Sequence, residues 1–457
     1  MVGIAGGSCF VLPVAPLFLF VGSVLLALVC WRWPVVQSVL IGVCFVTLGL
    51  ALGQKKGDLS LEGNSYEAVV MSEPAERPKT VGVDLLIPAV GKSVRCYLWK
   101  EERSMSLKLG DAVVVRLANN NNGDNDRRPL MYFVKSHDWQ LGGNAVEHLS
   151  RMQRSRLFFL NLRHKLLLRY QALHADESVY GVLAAMTLGD KSALTDETKE
   201  AYNVSGASHV LALSGLHLGI IYMFLTWLTL KRPRFWLSQI LIVTAIWAFA
   251  FLTGLSPSVT RSATMISIYA VFAPRSRGRA SLNVLAFAAI VMLIVEPQTL
   301  FEVGFQMSFA AVFAILLFMP LFERLWQPRQ LLLRLLWGSV IMSTVAQLGV
   351  GPLIAYYFGR FSTCFILTNF IVVPAAFVII FGALLTLLFP PVGQVLVWIT
   401  DKLNLSLNAI ASLPFSSIEG LHPSGLQVVL IYILIAIIYF MARILLPIVG
   451  ESRRGVR

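Results

Sequence analysis

Long apolar stretches constrain this chain more than any other feature of its sequence. A helix that crosses a bilayer needs about 20 mostly apolar residues, and the sequence offers roughly eleven such stretches. Of the 457 residues, 56% are apolar and 14% are charged. No water-soluble fold could hide that much apolar surface, so a bilayer has to be the solvent. The sequence therefore predicts a polytopic α-helical membrane protein of about eleven spans.

The predicted spans form two groups with a polar region between them. Residues 1–53 hold a pair of spans, 10–30 and 34–53, joined by Trp31-Arg32-Trp33, and tryptophan is typical of membrane interfaces. The second group lies in a membrane domain, 173–457. Its predicted spans are 204–229, 237–253, 258–273, 281–296, 303–320, 336–358, 363–389, 393–412 and 427–449.

The polar region 54–150 contains short runs in which apolar and polar residues alternate, as in half-buried strands. Turn signals, including the tract Asn119–Asp126, separate these runs. Five runs of this kind predict a small all-β domain, for which an OB-like barrel is the natural fold. The runs are Tyr66–Met71, Val81–Ile87, Ser93–Trp99, Ala112–Leu117 and Met131–Val134.

A basic amphipathic segment, 151–172, connects the β-domain to the membrane domain. Its arginines and lysine alternate with leucines and phenylalanines at helical spacing. A helix of this composition is typical of a membrane surface. The alternative is a basic track for phosphate groups.

The positions of the basic residues orient the chain, because Lys and Arg accumulate in cytoplasmic loops. With the spans above, the basic clusters all fall on the same side. They are Arg32, residues 231–234, residues 275–279, Arg324 to Arg334, and Arg453 to Arg457. We therefore expect a multi-pass protein of the bacterial inner membrane. Its N-terminus and residues 54–170 should lie outside, and its C-terminus in the cytoplasm.

Five short segments follow one another between residues 175 and 375. The first two are Leu188-Gly189-Asp190-Lys191 and Gly206-x-x-His209-x-x-Ala212-x-Ser214-Gly215-Leu216-His217. The other three are Gly254 with Pro257, Ser258, Arg261, Ala263 and Met265; Glu296-Pro297 with Gly304-Phe305-Gln306-Met307-Ser308-Phe309; and Tyr357-Phe358-Gly359-Arg360-Phe361-Ser362 with Thr368, Asn369 and Pro374. In this order the segments resemble the signature blocks of ComEC-type competence proteins.

Some positions depart from the family pattern. Ser262 separates Arg261 from Ala263, Glu296 stands where aspartate is usual, and Thr368 stands where alanine is usual. Many relatives also continue into a metallo-β-lactamase-like domain, whereas this sequence has no HxHxDH run and stops at Arg457. We therefore expect the membrane core of such a protein without the C-terminal domain and without its metal-nuclease site.

The resemblance implies an inner-membrane channel that passes single-stranded DNA into the cytoplasm during natural transformation, and not an enzyme. It implies single-stranded DNA and membrane lipid as partners, with a separate DNA receptor, a separate nuclease and a cytoplasmic ATP-driven motor. A motor is expected because the sequence has no GxxxxGK[ST] loop. No CxxC pair is present, so neither a metal nor a cofactor is predicted. A homodimer is left open.

Polar groups within the apolar segments are the candidates for lining a DNA path, because such groups usually face a partner or water. We predict this role for His209, Ser214, Gly215, His217, Arg261, Gln306, Ser308 and Asn369. The resemblance alone singles out Gly189 and Asp190 of the pre-membrane motif.

Each candidate also has a structural explanation. Glycines and serines permit close helix packing, and histidine can bond to a neighbouring backbone. Arg261 could pair with Glu296 or Glu302 instead of a phosphate, and Asn369 could bond across a helix interface. Two histidines with no third ligand in view make a poor zinc site.

Two other functions compete with the channel. Ser214 and His217 stand three residues apart, a spacing that suits the nucleophile and base of an intramembrane serine hydrolase. The nucleophile elbow GxSxG, however, is absent. A small-solute transporter would also use broken helices and buried polar groups, but the sequence shows no inverted repeat.

Overall fold

The computed structural model describes residues 34–53, 65–76, 78–117, 131–135, 137–173, 175–229, 235–272 and 281–454, with the single residues 4, 19, 23 and 26. Some predictions fall outside these residues. They concern most of the span 10–30, the Trp31–Trp33 anchor, the turn tract 119–126, the basic loops 231–234 and 275–279, and Arg457. The described chain forms a β-domain followed by a mostly helical domain.

The β-domain contains every strand predicted from the alternating runs, together with two short strands, β2 and β7. Its strands are β1 (Ser65–Val70), β2 (Ala75–Glu76), β3 (Thr80–Ile87), β4 (Lys92–Trp99), β5 (Ala112–Arg116), β6 (Met131–Val134) and β7 (Trp139–Leu141). Their β-branched and aromatic side chains favour extended backbone and supply the apolar side of the sheet.

The sheet has the order β6-β4-β3-β1-β5-β7, with β2 paired to β3. Neighbouring strands are antiparallel except β4 and β6, which are parallel. Inward side chains such as Val83, Leu85 and Cys96 form its core. Within the described residues the path ends at β6 on one side and β7 on the other. The OB-like barrel therefore stays a prediction.

The helices of the described chain are α1 (Pro34–Gly53), α2 (Glu102–Met105), α3 (Arg151–Gln171), α4 (Glu177–Leu188), α5 (Asp196–Ser205), α6 (Ser208–Leu211), α7 (Gly215–Thr229), α8 (Phe235–Leu252), α9 (Pro257–Phe272), α10 (Ser281–Val295), α11 (Val303–Leu325), α12 (Leu331–Phe358), α13 (Phe365–Leu388), α14 (Val392–Ala411) and α15 (Gly425–Arg454). Helices α8 to α15 begin and end within a turn or two of the predicted spans. Two three-residue strands, β8 (Arg360–Ser362) and β9 (Ser417–Glu419), pair with each other in antiparallel orientation.

Four segments in the described part of the chain are long and apolar enough to cross a bilayer: Val303–Arg324, Leu331–Phe358, Phe365–Thr386 and Gly425–Ile444. Shorter apolar helices accompany them, including Gly215–Thr229 and Leu237–Leu252. Large apolar side chains of α15, such as Leu434, are exposed, as expected where a helix faces lipid. The chain is thus a mostly helical membrane protein, and the total of about eleven spans stays a prediction.

The stretch 204–229 is divided, so its prediction as one span is wrong. Helix α5 ends before Gly206, whose φ of +85° is a left-handed conformation that terminates helices. The short α6 follows, and an extended Ala212 separates it from α7. The glycines of this stretch were the sequence signal for the break.

Helix α3 joins the two domains. It begins with a capping box in which the side chains of Ser150 and Gln153 bond to each other's backbone N–H groups. Leu160 packs with the β-domain, while the ring of Phe159 lies 5.6 Å from that of Phe251 at the end of α8. Placement of residues 151–172 at a membrane surface, like the other domain boundaries, stays a prediction.

We expect the thiol of Cys96 to resist alkylation at about pH 8, because only the thiolate reacts. Burial, with a smaller contribution from Asp84, raises the pKa of this thiol to about 12. Ser93→Cys places an exposed thiol on the same strand and should react readily. The two rates would be compared with a maleimide in native protein and after denaturation. Equal rates in native protein would contradict the buried core.

Candidate functional site

The pre-membrane motif lies at the end of α4, where Gly189 has a left-handed φ of +73°. A Cβ atom at this position would lie 2.7 Å from Leu213 Cδ1, so glycine permits the close approach. Asp190 is buried and accepts a hydrogen bond from the backbone N–H of Ser192 at 3.0 Å. Its carboxylate also pairs with the guanidinium of Arg163 at 3.5 Å. The motif therefore holds α4 in contact with α3, through Arg163, and with the segment before α7, through Leu213.

Gly206 forms the contact between the second and fifth motif segments. A Cβ atom on this glycine would lie 2.9 Å from Ser362 Cβ, a distance that real side chains do not adopt. The adjacent carbonyl of Ser205 accepts a buried hydrogen bond of 2.8 Å from the hydroxyl of Thr368. The break after α5 is thus held against β8 and the first turn of α13.

His209 is the exposed histidine of the motif. It belongs to the short α6, and its Nδ1 lies 3.1 Å from the carbonyl oxygen of Gly206. Because a carbonyl only accepts, this nitrogen donates, and Nε2 is left for other partners. Of the two predicted histidines, His209 is the one that another molecule can reach.

His217 is fully buried and contacts Ser214 at the start of α7. Its Nδ1 lies 3.2 Å from the serine Oγ and 3.3 Å from the serine backbone nitrogen. Because a backbone N–H only donates, Nδ1 is the acceptor of this contact. A side chain in the first turn that accepts from the preceding N–H caps a helix, as glutamate does in a capping box. The 3.2 Å between the serine Oγ and the histidine Nδ1 is also within the hydrogen-bond reach that a Ser–His dyad requires.

Gly215 and Gly304 place α7 and α11 against α9. A Cβ atom on Gly215 would lie 3.1 Å from Ser262 Oγ, and one on Gly304 would lie 2.7 Å from Arg261 Nη2. Arg261 is only 6% exposed, and its Nη1 lies 3.6 Å from a carboxylate oxygen of Glu302. The ion pair of Arg261 with Glu302, which was one of the predicted alternatives, is therefore present. The guanidinium of Arg261 occupies the space that a side chain at position 304 would need.

Two of the three remaining candidates, Gln306 and Asn369, form hydrogen bonds between helices. Gln306 accepts a hydrogen bond of 2.7 Å from the hydroxyl of Tyr357, which joins the fourth segment to the fifth. Asn369 donates a hydrogen bond of 3.1 Å to Ser343 of α12. Ser308 is half-buried on α11. The alternative of an interhelical bond for Asn369 is thus present, while the predicted lining roles stay predictions.

Two partners of the motif residues lie outside the five segments. Arg163 holds Asp190, and Ser343 holds Asn369. A signal for Arg163 was present, because it lies three residues after Leu160 and four before Leu167, both buried. Helical spacing therefore puts it on the inner face of α3. Nothing in the sequence marked Ser343.

The described residues contain no group of three or more His, Cys, Asp or Glu side chains that could hold a metal ion. His209 and His217 accordingly have no acidic or sulfur ligand grouped with them in that part of the chain. The chemistry visible at the site is hydrogen bonding and ion pairing, the ion pairs being Asp190 with Arg163 and Arg261 with Glu302.

Comparison with known proteins decides the family. A model of the competence protein family matches residues 186–444, more than half of the chain. The chain belongs to the competence protein family. The matched region begins in α4 and ends in α15, so it contains all five motif segments. The resemblance stated from the motifs is confirmed.

Individual relatives agree with this membership. ComE operon protein 3 of Bacillus subtilis (strain 168) is 30% identical over 248 residues, which is 53% of this chain and 30% of that protein. Competence protein ComA of Neisseria gonorrhoeae is 28% identical over 206 residues, covering 42% and 28%. An uncharacterized protein of Aquifex aeolicus (strain VF5) is 29% identical over 206 residues, covering 42% and 48%. The chain thus matches less than half of each relative's length. No solved structure matches it.

We expect Gly206→Ala to lower the free energy of unfolding by about 2 to 4 kcal/mol, combining a clash with Ser362 and left-handed strain. Gly420 also has a positive φ, but a Cβ atom there would have nothing within 4 Å. Gly420→Ala should therefore cost only the strain, about 1 to 2 kcal/mol. Thermal unfolding in detergent would measure both.

Two further variants isolate the clash. Gly219→Ala, in open space with ordinary φ, should be neutral. Adding Ser362→Gly to Gly206→Ala should recover the steric part of the loss. If the double variant is no more stable than Gly206→Ala alone, the two motif segments do not make this contact.

We expect His217→Gln to keep the protein close to wild-type stability, because glutamine can accept from the Ser214 N–H as a capping side chain. His217→Ala should lose about 1 kcal/mol for the absent cap and more for the cavity that the buried imidazole leaves. Unfolding midpoints at matched detergent concentration give the comparison. A glutamine variant as unstable as the alanine variant would rule out the capping role.

Proposed function

We propose that this chain is a membrane channel that carries single-stranded DNA into the cell during natural transformation. The observation that carries the proposal is the family match across residues 186–444, which contains the contacting motif segments. Two of the relatives are named ComE operon protein 3 and competence protein ComA. The whole activity belongs to proteins more than twice as long as the matched regions, so its extension to this chain is part of the proposal.

The charge and composition of the chain support this function physically. A DNA strand must cross about 30 Å of hydrocarbon, which requires a wet and polar lumen. A net charge of +13 favours a polyanionic substrate, although basic cytoplasmic loops contribute to it as well. We therefore keep single-stranded DNA and membrane lipid as the proposed partners. A separate receptor, nuclease and ATP-driven motor complete the proposed machinery.

In this proposal the buried candidate residues support the wall of the DNA path. His217 and Arg261 are packed and bonded inside the chain, so we propose that they hold the wall of the path in place. His209 is exposed beside the Gly206 break and is the better candidate for direct contact with DNA. Ser214, Gln306, Ser308 and Asn369 remain proposed lining residues.

The OB-like fold, the orientation in the membrane and the number of spans are part of the same proposal. The parallel pairing of β4 with β6 in an otherwise antiparallel sheet supports an OB-like domain, a partly open Greek-key barrel. The basic loops support an inner-membrane location with residues 54–170 outside and the C-terminus in the cytoplasm. About eleven spans would be consistent with that orientation.

A serine hydrolase is the second candidate, favoured by the 3.2 Å contact of Ser214 Oγ with His217 Nδ1. Hydrolysis would require the imidazole to accept the hydroxyl proton and then release it, with donors for the oxyanion. In this structure His217 is fully buried, which removes the histidine from any substrate. The contact is therefore better explained by helix capping.

Uptake in a gene-deletion strain tests the channel. We expect labelled DNA to remain outside in the deletion strain and to reach the cytoplasm again when wild-type protein is supplied. Arg261→Ala should fail to restore uptake at matched protein level, because it leaves Glu302 unpaired and empties the space beside Gly304. Gly219→Ala is the matched control and should restore uptake. Unchanged uptake in the deletion strain would end the proposal.

The same deletion strain, supplied with variants of Ser214 and His217, separates the hydrolase from the channel. A dyad requires both Ser214 and the histidine base, so His217→Gln would abolish its activity. A capping residue tolerates that change, and uptake should then persist in the glutamine variant. Loss of uptake in both Ser214→Ala and His217→Gln, with normal unfolding midpoints, would favour the hydrolase.

A further inference from the structure

Helix α14 packs along the whole length of α13. At one end, a Cβ atom on Gly393 would lie 3.1 Å from Thr386 Cγ2. At the other end, the backbone N–H of Thr363, before α13, donates to the carbonyl of Ser416, after α14, at 3.0 Å. The two helices are therefore antiparallel and occupy the same depth. Because α13 contains the candidate span Phe365–Thr386, α14 also lies at membrane depth.

An ion pair stands in the middle of α14. Asp401 and Lys402 lie about 14 Å from each end of the helix at 1.5 Å rise per residue. Their charged groups are 3.3 Å apart, and both side chains are about half exposed. Charged groups at the centre of a bilayer face a protein interior or a water-filled cavity, because hydrocarbon cannot solvate them. The exposed face of α14 at this level is therefore not a lipid-facing surface.

The exposed face of α14 changes character at this pair. Towards Val392 it carries Val395 and Trp398, which are apolar and exposed. Towards Ala411 it carries Lys402 and Asn408, which are polar and exposed, with the exposed Leu405 between them. The charged pair and the Asn408 amide are therefore the groups of this face that call for water in its second half.

Helix α5 adds a second polar surface beside this half of α14. The hydroxyl of Tyr202 donates a buried hydrogen bond of 2.9 Å to Asn404 Oδ1, which fixes α5 against α14. Four of the first five residues of α5 are charged, and its side chains Glu197 and Lys199 are exposed. A helix of this composition cannot border hydrocarbon.

We propose that α5 and the half of α14 from Asp401 to Ala411 form the wall of a water-filled vestibule. The vestibule opens at the Ala411 end, beside β8 and β9, and reaches the Asp401–Lys402 pair half-way down α14. Its existence follows from the packing of α13 and α14. Its use as the entrance to a DNA path rests on the proposed function.

Single cysteines test the vestibule in membranes without DNA. In a background in which Cys9, Cys30, Cys44, Cys96 and Cys364 are replaced by alanine, Leu405→Cys reports on the vestibule. Leu434→Cys on α15 is the matched control, because both leucines are exposed near mid-helix, at 63% and 56%. Val395→Cys, at 56%, reports on the apolar half of α14.

A charged, membrane-impermeant maleimide would be applied from each side in turn. We expect the 405 thiol to react at least about 100-fold faster than the 434 thiol, because only a hydrated thiol ionises. The 395 thiol should react as slowly as the 434 thiol. Reaction at 405 as slow as at 434 would overturn the vestibule. A disulfide between two copies at 405, with protection from the reagent, would also overturn it in favour of a subunit interface.

Reaction of the 405 thiol and DNA uptake in the deletion strain test the vestibule and the proposed function separately. If the 405 thiol reacts but deletion of the gene leaves DNA uptake unchanged, the vestibule stands and its use by DNA is excluded. If deletion blocks uptake but the 405 thiol does not react, the channel remains and its path lies elsewhere in the chain.

Discussion

Close approach at glycines, four of them in the motif segments, is the constraint on which the helical domain depends. Each of these four leaves room for a side chain from a segment far away in the sequence, where any Cβ atom would collide with it or be crowded. The pairs are Gly189 with Leu213, Gly206 with Ser362, Gly215 with Ser262, and Gly304 with Arg261. Apolar burial gives membrane helices little reason to associate, because lipid is equally apolar, so small residues that allow tight packing determine which helices meet.

Polar groups in this domain reinforce the same contacts. The pair Asp190–Arg163 joins a motif segment to α3, while the pair Arg261–Glu302 and the hydrogen bond from Thr368 to Ser205 each join a motif segment to a residue beside another one. Leaving such groups unpaired away from water would be costly, so each bond specifies a neighbour as well as holding it. The motif segments of this chain therefore form a set of mutual contacts, and the exposed polar surfaces on α5 and α14 lie outside them.

The β-domain is tied to this assembly through α3. One part of the helix packs with the sheet through Leu160, and the same region reaches the end of α8 through Phe159 and the buried Asp190 through Arg163. An amphipathic helix with a basic outer face thus has an inner face shared by two domains. The arginines of α3 are consequently not equivalent, since Arg163 is an internal ion-pair partner.

The sequence by itself determined where most helices and strands lie, the membrane solvent and the family. Apolar runs and alternation are local properties, and they placed α8 to α15 and the main strands. Glycines and helical spacing in the sequence were signals for the break at Gly206 and for the inner position of Arg163. The tertiary structure alone decided the burial of His217 and Arg261 and the partners Ser362 and Ser343. Those depend on which residues meet across long separations in the chain. Local periodicity carries no information about such meetings, whereas close packing of helices fixes them.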